Sequence, residues 1–428
     1  MKLSEYLPQG ASYELRTERK KSCNVQFEGN RFERIDSADL VSQTVRVLHE
    51  GKLSKAGSSK PNSGVELIKQ AAEMVRYGSP FDVDFVGDVE VAPLNLMNDS
   101  SLSARQMIDL VGGFVEELRS LDSRLVVSGK LDSAFSDVSL ETSCGFSHSY
   151  SKSVWTCAAS VELVTGDDLL SILETESAMG PGFDLKKMRD ALSKKLEYAR
   201  NVVSMDAGSY PVIFAPEEVG NIINPVVASL NGLAVYRKVS PWSDKLGQEL
   251  LDARINLVDD GSLDGEWTSR PFDVEGTPTR RNIMVNKGCL GDLILDRKVA
   301  AQLGKKSSGN AYAAGPMPHY LQLDAGSKAL DELIRSIDYG MLIEDTMGAW
   351  SGNPYSGIVT GTISRGLKIE KGQIVGRVKD CMFTINAFEH FRNHLIDYSS
   401  ERAQAETLFG SNSLFPYILL DEVVISTK

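Results

Sequence analysis

Close cysteine pairs are missing from this 428-residue chain. Its five cysteines, Cys23, Cys144, Cys157, Cys289 and Cys381, are odd in number and far apart, which excludes a disulfide scaffold and the CxxC spacing of zinc ribbons and redox motifs. Burial as small apolar groups in a reducing compartment is expected, and with it a cytoplasmic location. Basic charge is also short. The 46 Lys and Arg stand against 58 Asp and Glu, for a net charge of -12. No Lys/Arg stripe interleaved with aromatics is present, so direct contact with nucleic acid is not expected. The short basic runs Arg16 to Lys21 and Thr279-Arg280-Arg281 adjoin acids and read as solvated strand or loop positions. Long apolar runs are absent too. The longest uncharged stretch, Asn221 to Tyr236, is broken by Asn, Pro, Ser and Gly and falls short of the roughly 20 apolar residues that span a bilayer, so membrane insertion is not expected. The N-terminus has an early acid, Glu5, and no apolar segment, and does not read as a signal peptide.

Several familiar chemistries are missing as well. A phosphate-binding P-loop needs Gly, four residues, then Gly-Lys-Ser/Thr; Gly304-Lys305-Lys306-Ser307 has Val299 where the upstream Gly belongs and Lys306 where the hydroxyl belongs. Neither the GxSxG elbow nor the GxGxxG fingerprint occurs. His390 and His394 stand at i and i+4 beside Glu389, a spacing that can present two imidazoles to zinc. The zincin pattern, however, places Glu directly after the first His, where this chain has Phe391. A packing or exposed role is expected for that pair, and for the isolated His49, His148 and His319.

The chain does carry enough apolar residues, 42%, to bury real cores without a structural metal or disulfide. Short alternating runs at Ser12 to Thr17, Ser22 to Gln26, Arg31 to Ile35 and Ser42 to Leu48 predict an antiparallel meander. Turns are expected at Phe27-Glu28-Gly29-Asn30 and His49-Glu50-Gly51-Lys52. Helical periodicity marks Ser63 to Val75 and Ser103 to Leu118, strand character returns from Leu125 to Val164, and Asp184 to Val203 reads as a charged amphipathic helix. After Tyr210 the texture changes to β-branched runs punctuated by Asp259-Asp260-Gly261, Asn286-Lys287-Gly288 and Glu370-Lys371-Gly372, with helices evident chiefly at Lys328 to Ser336 and Ala387 to Leu395. The expected class is α+β, in two domains. Residues 1–205 form a mixed domain of antiparallel strands with covering helices, and residues 206–428 a domain dominated by a large, mainly antiparallel sheet.

The segment Tyr210 to Asn221 reads as a strand running into a helix, with Pro216 at the first helical position and two acids, Glu217 and Glu218, in the first turn. This segment resembles the TldD/PmbA family when taken with Ala234 to Lys238, Asp259-Asp260-Gly261, Phe272 to Arg280, Leu303 to Ala311 and Gly352-Asn353-Pro354-Tyr355-Ser356-Gly357, in that order. Val45 to Lys52 looks like the family's N-terminal pattern, so the resemblance covers nearly the whole chain. It implies a metallopeptidase context in which one subunit, TldD, binds zinc through His-Glu-x-x-x-His and a distant Cys, while its partner, TldE or PmbA, lacks the ligands. Aligned on Val219-Gly220, this chain has Pro216 and Asn221 where the histidines would stand and Glu217 in the acid's place, with Glu218 the alternative if the register slips by one. No Cys follows Cys381. A catalytic zinc needs about three protein ligands before it can activate water, and proline offers no donor atom.

The resemblance therefore implies a TldE/PmbA-like subunit without catalytic residues, metal or cofactor of its own, zinc being expected only in a TldD-like partner. The pair would enclose and cleave small or unfolded peptides. The Gly- and Asn-rich stretches are candidates for peptide-wall or interface loops: Ser307, Ser308, Gly309 and Asn310, and Gly352, Asn353, Pro354, Ser356 and Gly357. The alternatives are a homodimeric peptide-binding or scaffold protein without proteolysis, and an indirect modulator of DNA gyrase.

Overall fold

The computed structural model describes residues 3–166, 168–406 and 412–427. It divides into two compact units, the first made of Met1–Ser193, Ser262–Thr279 and Ala311–Ala313, the second of Lys194–Gly261, Arg280–Asn310 and Ala314–Lys428. The class is α+β with two large, mainly antiparallel sheets. A single cut at 205/206 does not reproduce this division, because the excursion Ser262–Thr279 is tied into the first unit by contacts described below.

In the first unit, β1 (Ser12–Glu28), β2 (Arg31–His49), β3 (Lys52–Ser58), β4 (Ser79–Pro80), β5 (Val126–Thr142), β6 (Ser147–Thr165) and β7 (Asp168–Ala178) form one sheet in the order β4-β3-β2-β1-β5-β6-β7. The expected short strands are fused. Ser12 to Thr17 and Ser22 to Gln26 are both β1, and the next two runs are both β2, since the polar residues between them pair in unbroken register. The expected turns are real, with Gly29 and Asn30 both at positive φ (56° and 68°), as a tight hairpin requires. On one face lie α1 (Gly64–Met74) and α2 (Ala104–Arg119), whose Leu67, Ile68, Met107, Val111 and Val115 are buried. Ser103 and Gln106 close α2 with a reciprocal capping box.

Over the opposite face runs the excursion. Arg46 on β2 makes a bidentate pair with Glu14 on β1 (2.7 and 2.6 Å) and reaches Glu275 of the excursion at 3.2 Å. Phe272 sits edge-on against Phe146 and Tyr150, at 5.3 and 5.2 Å. Gly276, at φ +79°, packs so closely that an added Cβ would stand 2.5 Å from Val86 Cγ1 and 2.9 Å from Leu140 Cδ2.

The charged helix α3 (Leu185–Arg200) contains the passage at Ser193/Lys194. In the second unit come β8 (Val202–Val203), β9 (Gly208–Phe214), α4 (Pro216–Ser229), α5 (Gly232–Tyr236), β10 (Leu257–Asp260), β11 (Arg281–Asn286), β12 (Cys289–Leu290) and α6 (Arg297–Gln302). Then follow β13 (Ala311–Tyr312, part of the first unit), β14 (Gly315–Pro316), β15 (Tyr320–Leu323), α7 (Leu330–Arg335), β16 (Tyr339–Met347), β17 (Ile358–Glu370), β18 (Gln373–Val378), β19 (Cys381–Asn386), α8 (Ala387–Asn393), β20 (Leu395–Glu406) and β21 (Asn412–Thr427).

The large sheet runs β12-β11-β10-β15-β21-β9-β16-β17-β18-β8, with β19 bridging β17 and β21 and with β20 on β21. Its pairs are antiparallel except β9 with β16, β15 with β21 and β8 with β18. The core of this unit gathers Val212, Phe214, Val219, Ile222, Ile223, Val226, Met341, Ile343, Phe383 and Phe415, so α4 is buried on nearly every side. Among the described residues no helix is long and apolar enough to cross a membrane.

Candidate functional site

Strand β9, Gly-Ser-Tyr-Pro-Val-Ile-Phe, buries Val212, Ile213 and Phe214 between β16 and β21, and it aims the chain directly at the start of α4. Ala215 is the extended residue before the helix (φ -67°, ψ 156°), and its N–H donates to the carbonyl of Ile343 on β16. Pro216 takes the first helical position, where a missing N–H costs nothing and its fixed φ suits the helix. It is buried, and its ring has no lone pair to offer.

The two acids that follow diverge. Glu217 turns outward, its side chain 47% exposed, with Lys195 Nζ 3.9 Å from Oε1. Glu218 turns inward and is 3% exposed. Its Oε1 accepts the backbone N–H of Thr346 at 2.9 Å, and its Oε2 accepts the Thr346 hydroxyl at 2.6 Å and Asn221 Nδ2 at 3.0 Å. Burial pushes the Glu218 carboxyl above its ordinary pKa even though these donors pull the other way. Asn221 is thus occupied as a donor to Glu218, one helical turn earlier on the same face. The resulting latch joins the first turns of α4 to the end of β16.

The donor set does not fit zinc. Pro216 supplies nothing, the Asn221 amide is bonded to Glu218, and the two glutamates point apart. Among the described residues no three His, Cys, Asp or Glu side chains gather in a metal-holding group. The pair His390 and His394 is also committed elsewhere. Its rings tilt together at 5.1 Å, His390 Nδ1 lies 2.9 Å from the carbonyl of Asn386, and its Nε2 lies 3.4 Å from that of Glu422. His394 sits 3.6 Å from Glu422 and 3.8 Å from Glu389.

The two Gly- and Asn-rich loops part company. In 307–310, Ser308 and Asn310 face the interior of the second unit. Asn310 Nδ2 donates to Asp259 at 2.6 Å and to the Met317 carbonyl at 3.0 Å, while Asn310 Oδ1 accepts Asn282 Nδ2 at 3.0 Å. The Leu295 N–H donates to the Ser308 hydroxyl at 2.7 Å. Asp259 also accepts the N–H groups of His319 and Tyr320, and its burial raises the carboxyl to about 6. The side chains of Ser308 and Asn310 therefore serve an internal network and cannot line a peptide channel. Ser307 Oγ caps the Leu295 carbonyl at 3.1 Å, and Gly309, at φ +78°, makes the turn.

The second loop borders open space. Gly352, Asn353 and Ser356, with Met347, Gly348, Ser351, Ile358, Thr360, Thr362 and Met382, line a cavity of about 480 Å³, within the range of small-molecule pockets. Pro354 begins the short turn Pro354–Ser356, capped by Asn353, and packs with it against α4. Gly357 is at φ +76°, and a Cβ there would stand 2.5 Å from Phe388 Cδ2. The register explains why a groove exists. Strand β16 pairs with β17 only as far as Met347 opposite Thr362, whereas β17 continues to Ile358 with β19 on its other side. Among the described residues no strand pairs with Ile358–Gly361 on the side that β16 vacates. The exposed alternation Ile358, Thr360, Thr362 is the signal of this edge that the sequence offers. Thr346 and Met382 are remote in sequence and carried none.

Comparison with known proteins agrees with this architecture. Residues 207–427 match the family described as PmbA/TldA metallopeptidase C-terminal domain. The chain is 24% identical over 369 residues to the metalloprotease PmbA of Escherichia coli O157:H7, covering 82% of this chain and 79% of that one. It is 24% identical over 400 residues to a metalloprotease of Methanothermobacter thermautotrophicus, covering 89% and 86%. Its fold is similar to that of TldE from Thermococcus kodakarensis, with a TM-score of 0.89 and 20% identity over 99% of this chain and 98% of that one. It is also similar to a Thermotoga maritima protein described as a candidate modulator of a DNA gyrase, with a TM-score of 0.88 and 18% identity over 99% and 97%. The fused meander, the excursion and the β9–α4 junction are thus those of a known architecture, and the chain belongs to the PmbA/TldD metallopeptidase family.

Proposed function

We propose that this chain is the non-catalytic subunit of a TldD/TldE-type zinc peptidase, working in the cytoplasm with a TldD-like partner that supplies the metal and the hydrolysis. The observation that carries this reading is the chemistry of the α4 start: a proline, an outward glutamate, an inward glutamate bonded to Thr346, and an asparagine bonded to that glutamate. The role of the chain in such a complex is to hold substrate. An extended peptide laid along Ile358–Gly361 would continue the sheet where β16 stops, bonding through backbone groups and so accepting many sequences. Gly352, Asn353 and Ser356 would close over it. The Glu218–Thr346 latch fixes the end of β16 beside this edge and so sets the groove's width.

Isolation of the chain from its native cell, followed by peptide assays on each component and on the recombined pair, tests the proposal. The expected result is a co-purifying relative bearing His-Glu-x-x-x-His, cleavage by the pair, and none by this chain alone. Zinc-dependent cleavage by the isolated chain would overturn it. Recovery of a self-associated chain that binds peptides, with no such relative, would instead support the homodimeric peptide-binding alternative.

A further inference from the structure

The face of the first unit's sheet that lies beneath the excursion gathers cations that the proposed function does not use. Alternation along β1 sends Arg16, Glu18 and Lys20 to this face, together with Glu14. The register through β5 brings His148, Tyr150 and Lys152 of β6 alongside them, Tyr150 in line with Glu18 and Lys152 in line with Lys20. Two bases of the short run noted in the sequence, Arg16 and Lys20, therefore join a patch completed by residues more than a hundred positions away, while Arg19 and Lys21 face the other way.

The excursion adds the rest. Lys152 Nζ donates to the Ser269 carbonyl at 3.3 Å, its one hydrogen bond to the described residues. Arg270 lies over the Tyr312 ring at 4.6 Å, and its Nε is buried with no hydrogen-bond partner. Ser269 is wholly buried, and its Oγ also has none; the indole Nε1 of Trp267 is a third buried donor without an acceptor. Among the described residues no carboxylate stands within ion-pair distance of Lys152 or Arg270. Glu18 is paired with Arg16 at 2.8 Å, and Glu266 faces the Thr268 N–H at 3.4 Å. Burial, reinforced by repulsion from Arg270, holds the Lys152 ammonium down to about 7.

Buried donors left unpaired cost free energy unless an acceptor reaches them, and beside the Lys152 and Arg270 cations an anion is the acceptor that gains most. A cavity of about 220 Å³ is lined by Ser151 and Pro271, the chain neighbours of Lys152 and Arg270, and by Tyr150, Val91, Leu94 and His148. We propose that Lys152, Ser269, Arg270 and Trp267 form a binding site for a small oxyanion, a carboxylate or a phosphate, with the neighbouring cavity receiving the group that bears it. A planar carboxylate suits the guanidinium fork, and the hydroxyl and indole N–H supply the remaining bonds. The site belongs to the first unit and stands whether or not the chain has a catalytic partner.

Calorimetric titration of the full chain with a tripeptide bearing a free C-terminal carboxylate, with the same peptide amidated, and with inorganic phosphate tests this. The site predicts saturable binding of the free-carboxylate peptide, of phosphate or of both. Binding of the amidated peptide is expected to be about tenfold weaker or more, the worth of one charge-assisted hydrogen bond. The stronger of the two anions identifies the source of the group. Trp267→Phe and Ser269→Ala each remove a donor that no described protein group accepts from. Both are expected to leave the melting temperature unchanged or raised while weakening anion binding several-fold, and Lys152→Met to weaken it further. Failure of both anions to bind the unaltered chain, or unaltered binding by the Trp267→Phe and Ser269→Ala variants, would overturn the proposal.

Discussion

Replacing Glu218 by alanine removes the acceptor for three donors at once: the Thr346 N–H, the Thr346 hydroxyl and the Asn221 amide. The hydroxyl can turn elsewhere and half-buried Asn221 can find water, but the Thr346 N–H is buried with its residue and has no substitute. A stranded buried donor together with the lost packing costs about 2–4 kcal/mol, less whatever was being spent on burying the carboxylate. Glu218→Gln behaves differently. Its amide oxygen can keep the Thr346 N–H, its NH₂ can donate to the Thr346 hydroxyl, and Asn221 can flip to accept, so the cost falls to about 1 kcal/mol or less. The pH dependence separates the two effects. Because the folded-state pKa of Glu218 is raised, its contribution to stability is complete below the ordinary carboxylate range and is lost as pH rises through the raised value. The glutamine variant has no such loss, so its stability relative to the unaltered chain should improve as pH rises above the ordinary carboxylate range. Urea unfolding at several pH values, with hydrogen exchange read at the Thr346 amide, measures both. An alanine variant as stable as the parent, or a glutamine variant as damaged as the alanine one at every pH, would refute the latch.

Arg46→Met leaves the buried carboxylates of Glu14 and Glu275 without their shared guanidinium. A loss of about 3–5 kcal/mol in the first unit is expected by thermal unfolding, and an unchanged melt would contradict the anchoring role given to this triad. Gly357→Ala forces a side chain onto a backbone at φ +76° and against Phe388 and Asn386, for a loss of about 1–3 kcal/mol measured in urea. Burial raises Asp259 to about 6 and Asp273 to about 7, so both stabilise the fold fully below about pH 4 and lose that contribution as pH rises through 6 and 7. Carboxyl NMR titration should find these two midpoints, and midpoints near the ordinary value of about 3.9 would contradict their burial.

Much of the architecture could be read from local pattern. The turns at Gly29-Asn30, Glu50-Gly51, Lys287-Gly288 and Lys371-Gly372 each take two consecutive positive φ values, and the glycine that every one of them contains, which adopts such φ at no steric cost, is the local signal. Helices α1, α2 and α3 fell within a residue or a few of expectation, since amphipathic period and caps are local too. What local pattern could not show was where a polar stretch goes once the chain has folded. The excursion at 262–279 joins the first unit through Arg46 and Phe272, contacts separated from their partners by more than a hundred residues. The two acids in the first turn of α4 look alike in the sequence, and only contacts with remote residues separate them, Glu218 turning inward to Thr346 and Glu217 outward. The loop at 307–310 looked like an exposed turn because Ser, Gly and Asn favour turns. Its asparagine is buried because Asp259, on another strand, needs a donor there.

Zinc stoichiometry tests the central claim most directly. The chain, purified without an affinity tag and dialysed against micromolar zinc, should retain no stoichiometric metal by elemental analysis, because the start of α4 offers a proline, an engaged amide and two diverging carboxylates. One zinc retained per chain, and lost on replacing Glu217 or Asn221 by alanine, would contradict the account.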